Sequence, residues 1–106
     1  MVLPEERDLL FALRTLEVMM SSGIGLEAAL LNLSQGGYGV ISAQFASMLK
    51  EVGKGKPLAD EIKKGMQRTK SKSYRRFLTT LHNNIVNNTN VVDDLRKQGD
   101  AEEESR

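Results

Sequence analysis

Apolar residues recur along this chain at helical spacing and predict six helices. Residues 4–22 place Leu9, Leu13, Leu16 and Met20 on one face, following the three-and-four rule of an amphipathic helix. Pro4 suits a first helical position, and Glu5, Glu6 and Asp8 suit the positive end of the helix dipole. A second helix over residues 26–33 buries Leu26, Ala29, Leu30 and Leu33, and Gly36, Gly37 and Gly39 around Tyr38 form a loop. The third, over residues 40–52, carries Ile41, Phe45, Met48, Leu49 and Val52. Gly53, Gly55 and Pro57 break it, and Pro57 opens a fourth with Leu58, Ile62 and Met66 on one side.

Lys70 to Ser73 reads as a polar link in which Ser71 or Ser73 caps the fifth helix. That helix presents Tyr74, Phe77, Leu78, Leu81 and Ile85 on one face. Asn87, Asn88 and Asn90 interrupt it, and Asn90 caps a shorter sixth helix carrying Val91 and Leu95. Sustained period-two alternation is missing, so no strand is predicted. The expected fold is all-α: a compact bundle of about six helices, residues 1–99, with short loops marked by Gly, Pro and Asn. Residues 100–106 are charged, lack large apolar side chains and are expected to fray. Gly23, Gly25, Gly53, Gly55, Pro57 and Asn88 are the expected structural hinges.

A shift of 65 residues lays Leu13, Thr15, Leu16 and Met20 over Leu78, Thr80, Leu81 and Ile85. It also lays Ser22, Gly23 and Gly25 over Asn87, Asn88 and Asn90. Gly and Asn are the residues that tolerate positive φ, so the match is chemical as well as alphabetical.

The chain has 106 residues, of which 40% are hydrophobic and 27% charged, which suits one globular domain with a buried core. It contains no cysteine, which excludes disulfides, thiolate metal sites and a cysteine nucleophile. No apolar run approaches the ~18 residues that span a bilayer, and the N-terminus lacks the pattern of a signal peptide. The net charge of +1 hides a strong asymmetry. Residues 50–76 carry ten basic and three acidic groups, between two acidic flanks. A basic middle points to an acidic partner surface, nucleic acid or a solvated face.

Catalytic patterns are missing, and neither a cofactor nor a metal is expected. His82 has no second histidine and is offset from the face of Leu78, Leu81 and Ile85. Asp93 and Asp94 are adjacent on a helix, point apart, and fit the first turn of the sixth helix. Gly53-Lys54-Gly55-Lys56 lacks the spacing of a phosphate loop and follows no strand. The sequons at Asn32 and Asn87 read as chance matches. Met19, Met20 and Met66 read as core filler. The chain is therefore expected to bind rather than catalyse. A nucleic-acid role would need stacking aromatics or a groove-reading helix beside the charge.

The run from Phe11 to Leu30, a helix, the kink Ser21-Ser22-Gly23 and a second helix opening Leu26-Glu27-Ala28-Ala29-Leu30, resembles the start of the type II secretion system F domain. The run from Val52 to Ile62, with Gly53, Gly55, Pro57 and Leu58, is similar to that family's second marker. Residues 76–95 are similar to its closing hairpin, with Asn87, Asn88 and Asn90 where a Ser-Gly pair is usual. The loop Gly37-Tyr38-Gly39 and the link Thr69-Lys70-Ser71 look most like the archaeal branch, the platform proteins of archaeal flagella and type IV pili. The resemblance spans about residues 9–97. It implies a six-helix domain at the cytoplasmic face of the membrane, in a platform protein with flanking transmembrane helices. The implied partners are a hexameric assembly ATPase and other pilus or secretion components, and self-association and contact with anionic lipid stay open. The ATPase-facing surface is expected to include Lys54, Lys56, Lys63, Lys64, Lys70 and Lys72.

Overall fold

A computed structural model of the chain describes residues 3–104. Six helices account for most of it: α1 (Leu9–Ser21), α2 (Leu26–Gln35), α3 (Val40–Gly53), α4 (Leu58–Arg68), α5 (Lys72–Asn87) and α6 (Val91–Glu104). No strand occurs among the described residues. The Cα radius of gyration, 12.6 Å, matches the about 13 Å of a folded chain of this length.

Two expectations fail at the ends of the chain. The first helix does not start at Pro4. Pro4–Glu6 form a separate 3-10 turn, and α1 begins at Leu9 behind Asp8. Glu5 and Glu6 serve a tertiary purpose instead of the α1 dipole. Glu5 accepts a hydrogen bond from the Thr69 hydroxyl and Glu6 one from the Ser71 hydroxyl, both at 2.6 Å. The expected frayed tail is also wrong as far as Glu104. The guanidinium of Arg14 on α1 meets Asp100 and Glu103 at 2.8 Å each, and α6 stays helical through them. Ser105 and Arg106 lie outside the described residues.

The helices close into a ring of three hairpins, α1–α2, α3–α4 and α5–α6. Packing is heaviest between successive hairpins, α2 on α3, α4 on α5, and α6 back onto α1. The repeat legible at a shift of 65 residues is real in backbone terms, since Gly23 (φ +92°) and Asn88 (φ +54°) are both left-handed. It has a third copy that the sequence hid. Gly55 (φ +103°) occupies the same place in the middle hairpin. Two residues beyond each stands an extended N-cap or a capping asparagine, Gly25, Pro57 and Asn90, and the next helix starts at Leu26, Leu58 and Val91. Core positions repeat in register: Leu13 with Phe45 and Leu78, and Leu16 with Met48 and Leu81.

All three hairpin tips therefore lie at one end of the ring. The other end, the linker end, gathers the 3-10 turn, the α2–α3 loop, the α4–α5 link and the C-terminal turns of α6. Gln98 on α6 donates to the Ser73 carbonyl at the start of α5 at 2.8 Å, and Arg96 meets Glu17 at 3.0 Å, which sets α6 antiparallel to both neighbours. Phe45 and Phe77 meet edge-on in the core with ring centroids 5.9 Å apart.

Candidate partner-docking surfaces

The tip end opens on a cavity of about 550 Å³. The first turn of α2 (Leu26, Glu27, Ala28), the first turn of α4 (Leu58, Ala59) and Ile85 on α5 line it. Ile85 was expected to lie in the core, but it is 36% exposed here. Ile24 and Val86 add further exposed apolar surface, at 37% and 57%. The helix starts are bare because neither Gly25 nor Pro57 has a side chain that can cap. The first amides of α2 and α4, which like those of any helix have no intrahelical acceptor, are therefore left without a capping side chain.

Lys54 and Lys56 sit beside this end, in the α3–α4 loop. Both are engaged, because Glu51 on α3 takes Lys54 at 3.1 Å and Lys56 at 2.6 Å. Hydrogen bonds from Lys56 and then Lys54 pull the Glu51 carboxyl down to about 2, well below its ordinary 4.5. The same bond holds the Lys56 ammonium above its ordinary range. The three groups together present a single net positive charge.

Lys63, Lys64, Lys70 and Lys72 lie elsewhere, along α4 and at its far end. With a rise of 1.5 Å per residue, α4 puts roughly 16 Å between its two termini. The six lysines are thus spread from the tip end to the far end of α4. Lys64 is paired at 2.9 Å with the buried carboxylate of Glu61. Lys63, Lys70 and Lys72 are exposed, and none forms an ion pair among the described residues. Arg75 is committed to structure, donating to the carbonyls of Met66 (3.1 Å) and Thr69 (2.6 Å) that end α4. Tyr74 and Phe77, the aromatics nearest this charge, are fully buried. Burial pushes the Tyr74 hydroxyl well above its ordinary range.

The six expected hinge residues divide likewise. Gly23, Gly55 and Asn88 hold the left-handed turns. Gly25 and Pro57 are extended N-caps, and Gly53 is an ordinary helical residue that ends α3 in open space. Ser71 caps α5 through the Tyr74 amide at 3.0 Å, and Asn90 caps α6 through the Asp93 amide at 3.2 Å. Two glycines matter for packing and went unremarked in the sequence. A Cβ on Gly65 would meet Met48 Cε at 2.8 Å, and one on Gly99 would meet Arg14 at 2.7 Å. The Arg14 network was missed too, because two of its three acidic partners, Asp100 and Glu103, lie more than eighty positions along the chain.

A polar cleft of about 260 Å³ between α3 and α4 holds Glu5, Glu61, Lys64 and Arg68, but its carboxylates are occupied by Thr69 and Lys64. No group of three His, Cys, Asp or Glu side chains could hold a metal ion among the described residues. No described helix is long and apolar enough to cross a membrane.

Neither the curated proteins nor the solved structures offer a match to this chain. The family model described as Type II secretion system (T2SS), protein F matches residues 12–106, which takes in all of α2 to α6 and most of α1. The chain therefore belongs to the type II secretion system protein F family, the membrane platform proteins of secretion and pilus machinery.

Proposed function

We propose that this domain is the part of a secretion or pilus platform that docks the cytoplasmic assembly ATPase, through its hairpin-tip end, and passes on the ATPase's motion. The observation that carries this reading is the sorting of the two ends. The 3-10 turn and the C-terminal turns of α6 both sit at the linker end, which leaves the tip end as the face turned away from either end of the described chain. That face has the makings of a protein contact: an apolar cavity as its centre, and Lys54, Lys56 and Glu51 as a polar rim. Interfaces of this plan draw affinity from a few central apolar anchors, while rim charges set association rate and salt sensitivity.

The ring makes the domain a unit that moves as one body, since α6 closes onto α1 and no hairpin packs alone. The domain works on this reading by contact and displacement, with no chemistry of its own, at the cytoplasmic side of the membrane. Ile24→Asp with Val86→Asp places charge on exposed positions at the tip end and spares the core. Binding of the cognate assembly ATPase, measured by calorimetry, should weaken at least tenfold, about 1.4 kcal/mol. Undiminished ATPase binding by a folded double variant would overturn the assignment of this end.

A further inference from the structure

We infer that the outward face of α4 and α5 is a docking surface for an anionic lipid bilayer. The inference rests on the membrane setting of the family and is independent of where the ATPase docks. Between Ile62 and Val92 the chain holds no acidic residue and seven Lys or Arg. Folding brings several of them onto one flank. Lys63 lies on α4, Lys70 on the α4–α5 link, and Lys72 and Arg76 on the first turns of α5, all exposed; Arg68 lines the α3–α4 cleft instead. Three nearby carboxylates are spent inward, Glu61 buried against Lys64, Glu5 holding Thr69 and Glu6 holding Ser71, and Asp60 stays exposed at the tip-side start of α4.

What the flank lacks selects among anionic partners. Its outward positions carry no large exposed apolar side chain; those of the described chain are on α1, α2, α3, the α1–α2 turn and the far end of α5. A protein interface needs such an anchor at its centre. A nucleic-acid surface needs aromatics to stack or a helix that reads a groove, and Tyr74 and Phe77 are buried. A headgroup layer needs only clustered, long, flexible cations, each contributing roughly a factor of five in binding near the surface. Position agrees with chemistry. The α4–α5 link stands at the linker end, so a membrane-bound segment joined to either described end would leave from beside this face.

The test is flotation of the chain with vesicles of phosphatidylglycerol and phosphatidylcholine, against pure phosphatidylcholine, across a salt series. Binding should require the anionic lipid and fall as salt rises. Lys70→Gln with Lys72→Gln should weaken it by about twentyfold or more. The control, Lys54→Gln with Lys56→Gln, should change it little because Glu51 already holds both side chains. Circular dichroism melting confirms that each variant is folded. No binding to anionic vesicles at low salt would overturn the inference, as would equal loss in the control. Displacement by duplex DNA at a lower charge concentration than the vesicles would assign the face to nucleic acid. Loss of ATPase binding in the flank variant, with vesicle binding intact, would assign it to the protein partner.

Discussion

The tip end and the α4–α5 flank carry the same kind of side chain and present opposite surfaces. At the tip, Lys54 and Lys56 converge on Glu51, so two cations and one anion leave little field around an apolar cavity. On the flank, Lys63, Lys70 and Lys72 form no ion pair among the described residues, and no large exposed apolar side chain lies among them. Charge counted along a sequence is thus not charge available in space. What decides is whether a carboxylate one helical turn away is left over, as Glu51 is, or already turned inward, as Glu61, Glu5 and Glu6 are. The first arrangement suits a contact with apolar affinity and a polar rim; the second suits a diffuse, screened attraction.

The largest expected effect removes both surfaces together. Phe77 is fully buried beneath the flank and packs edge-on against Phe45. Phe77→Ala should cost about 3–5 kcal/mol in urea unfolding, in one cooperative transition, because the ring has no hairpin that stands alone. Two transitions would show that the ends fold separately. A smaller effect distinguishes the glycines of the tip. Gly55→Val forces a β-branched residue to φ +103° and should lose about 1–2 kcal/mol. Gly53→Ala, in helical backbone with open space around it, should lose nothing and gain up to about 1 kcal/mol. Equal losses would show that the loop is held by something other than the left-handed turn.

The smallest effect is the most specific. Glu51→Gln should leave the fold intact at neutral pH while releasing Lys54 and Lys56, so that the tip acquires the salt-sensitive attraction to anionic vesicles that belongs to the flank. The acid side gives the sign. Glu51 titrates at about 2 when folded, below its ordinary 4.5. Its contribution is therefore complete above about pH 4.5 and fades as pH falls toward 2. The difference between the unfolding curves of wild type and variant should close over that window. A difference that persisted at pH 2 would place the interaction elsewhere.

Much of the fold was legible because it is written locally. The stripes of Leu13 and Leu16, Phe45 and Met48, and Leu78 and Leu81 have helical spacing, and Ser71 and Asn90 cap where cap chemistry is expected. The repeat was visible between Gly23 and Asn88 but not at Gly55, whose neighbours Lys54, Lys56 and Pro57 resemble neither copy in letters while sharing their backbone. The failures were tertiary. Glu5 and Glu6 left the helix dipole for hydroxyls on a link more than sixty residues away, and Arg14 held the last turns of α6 in place. The six lysines singled out in the sequence could not be sorted there into engaged and free ones, because the length of α4 and the reach of Glu51 appear only once the chain is folded.

The most direct test of the account places one variant of each surface against one partner. ATPase binding is measured for Ile24→Asp with Val86→Asp and for Lys70→Gln with Lys72→Gln, beside wild type, in the same titration. The account predicts at least a tenfold loss for the tip variant and nearly wild-type binding for the flank variant. Loss in the flank variant with full binding by the tip variant would contradict it.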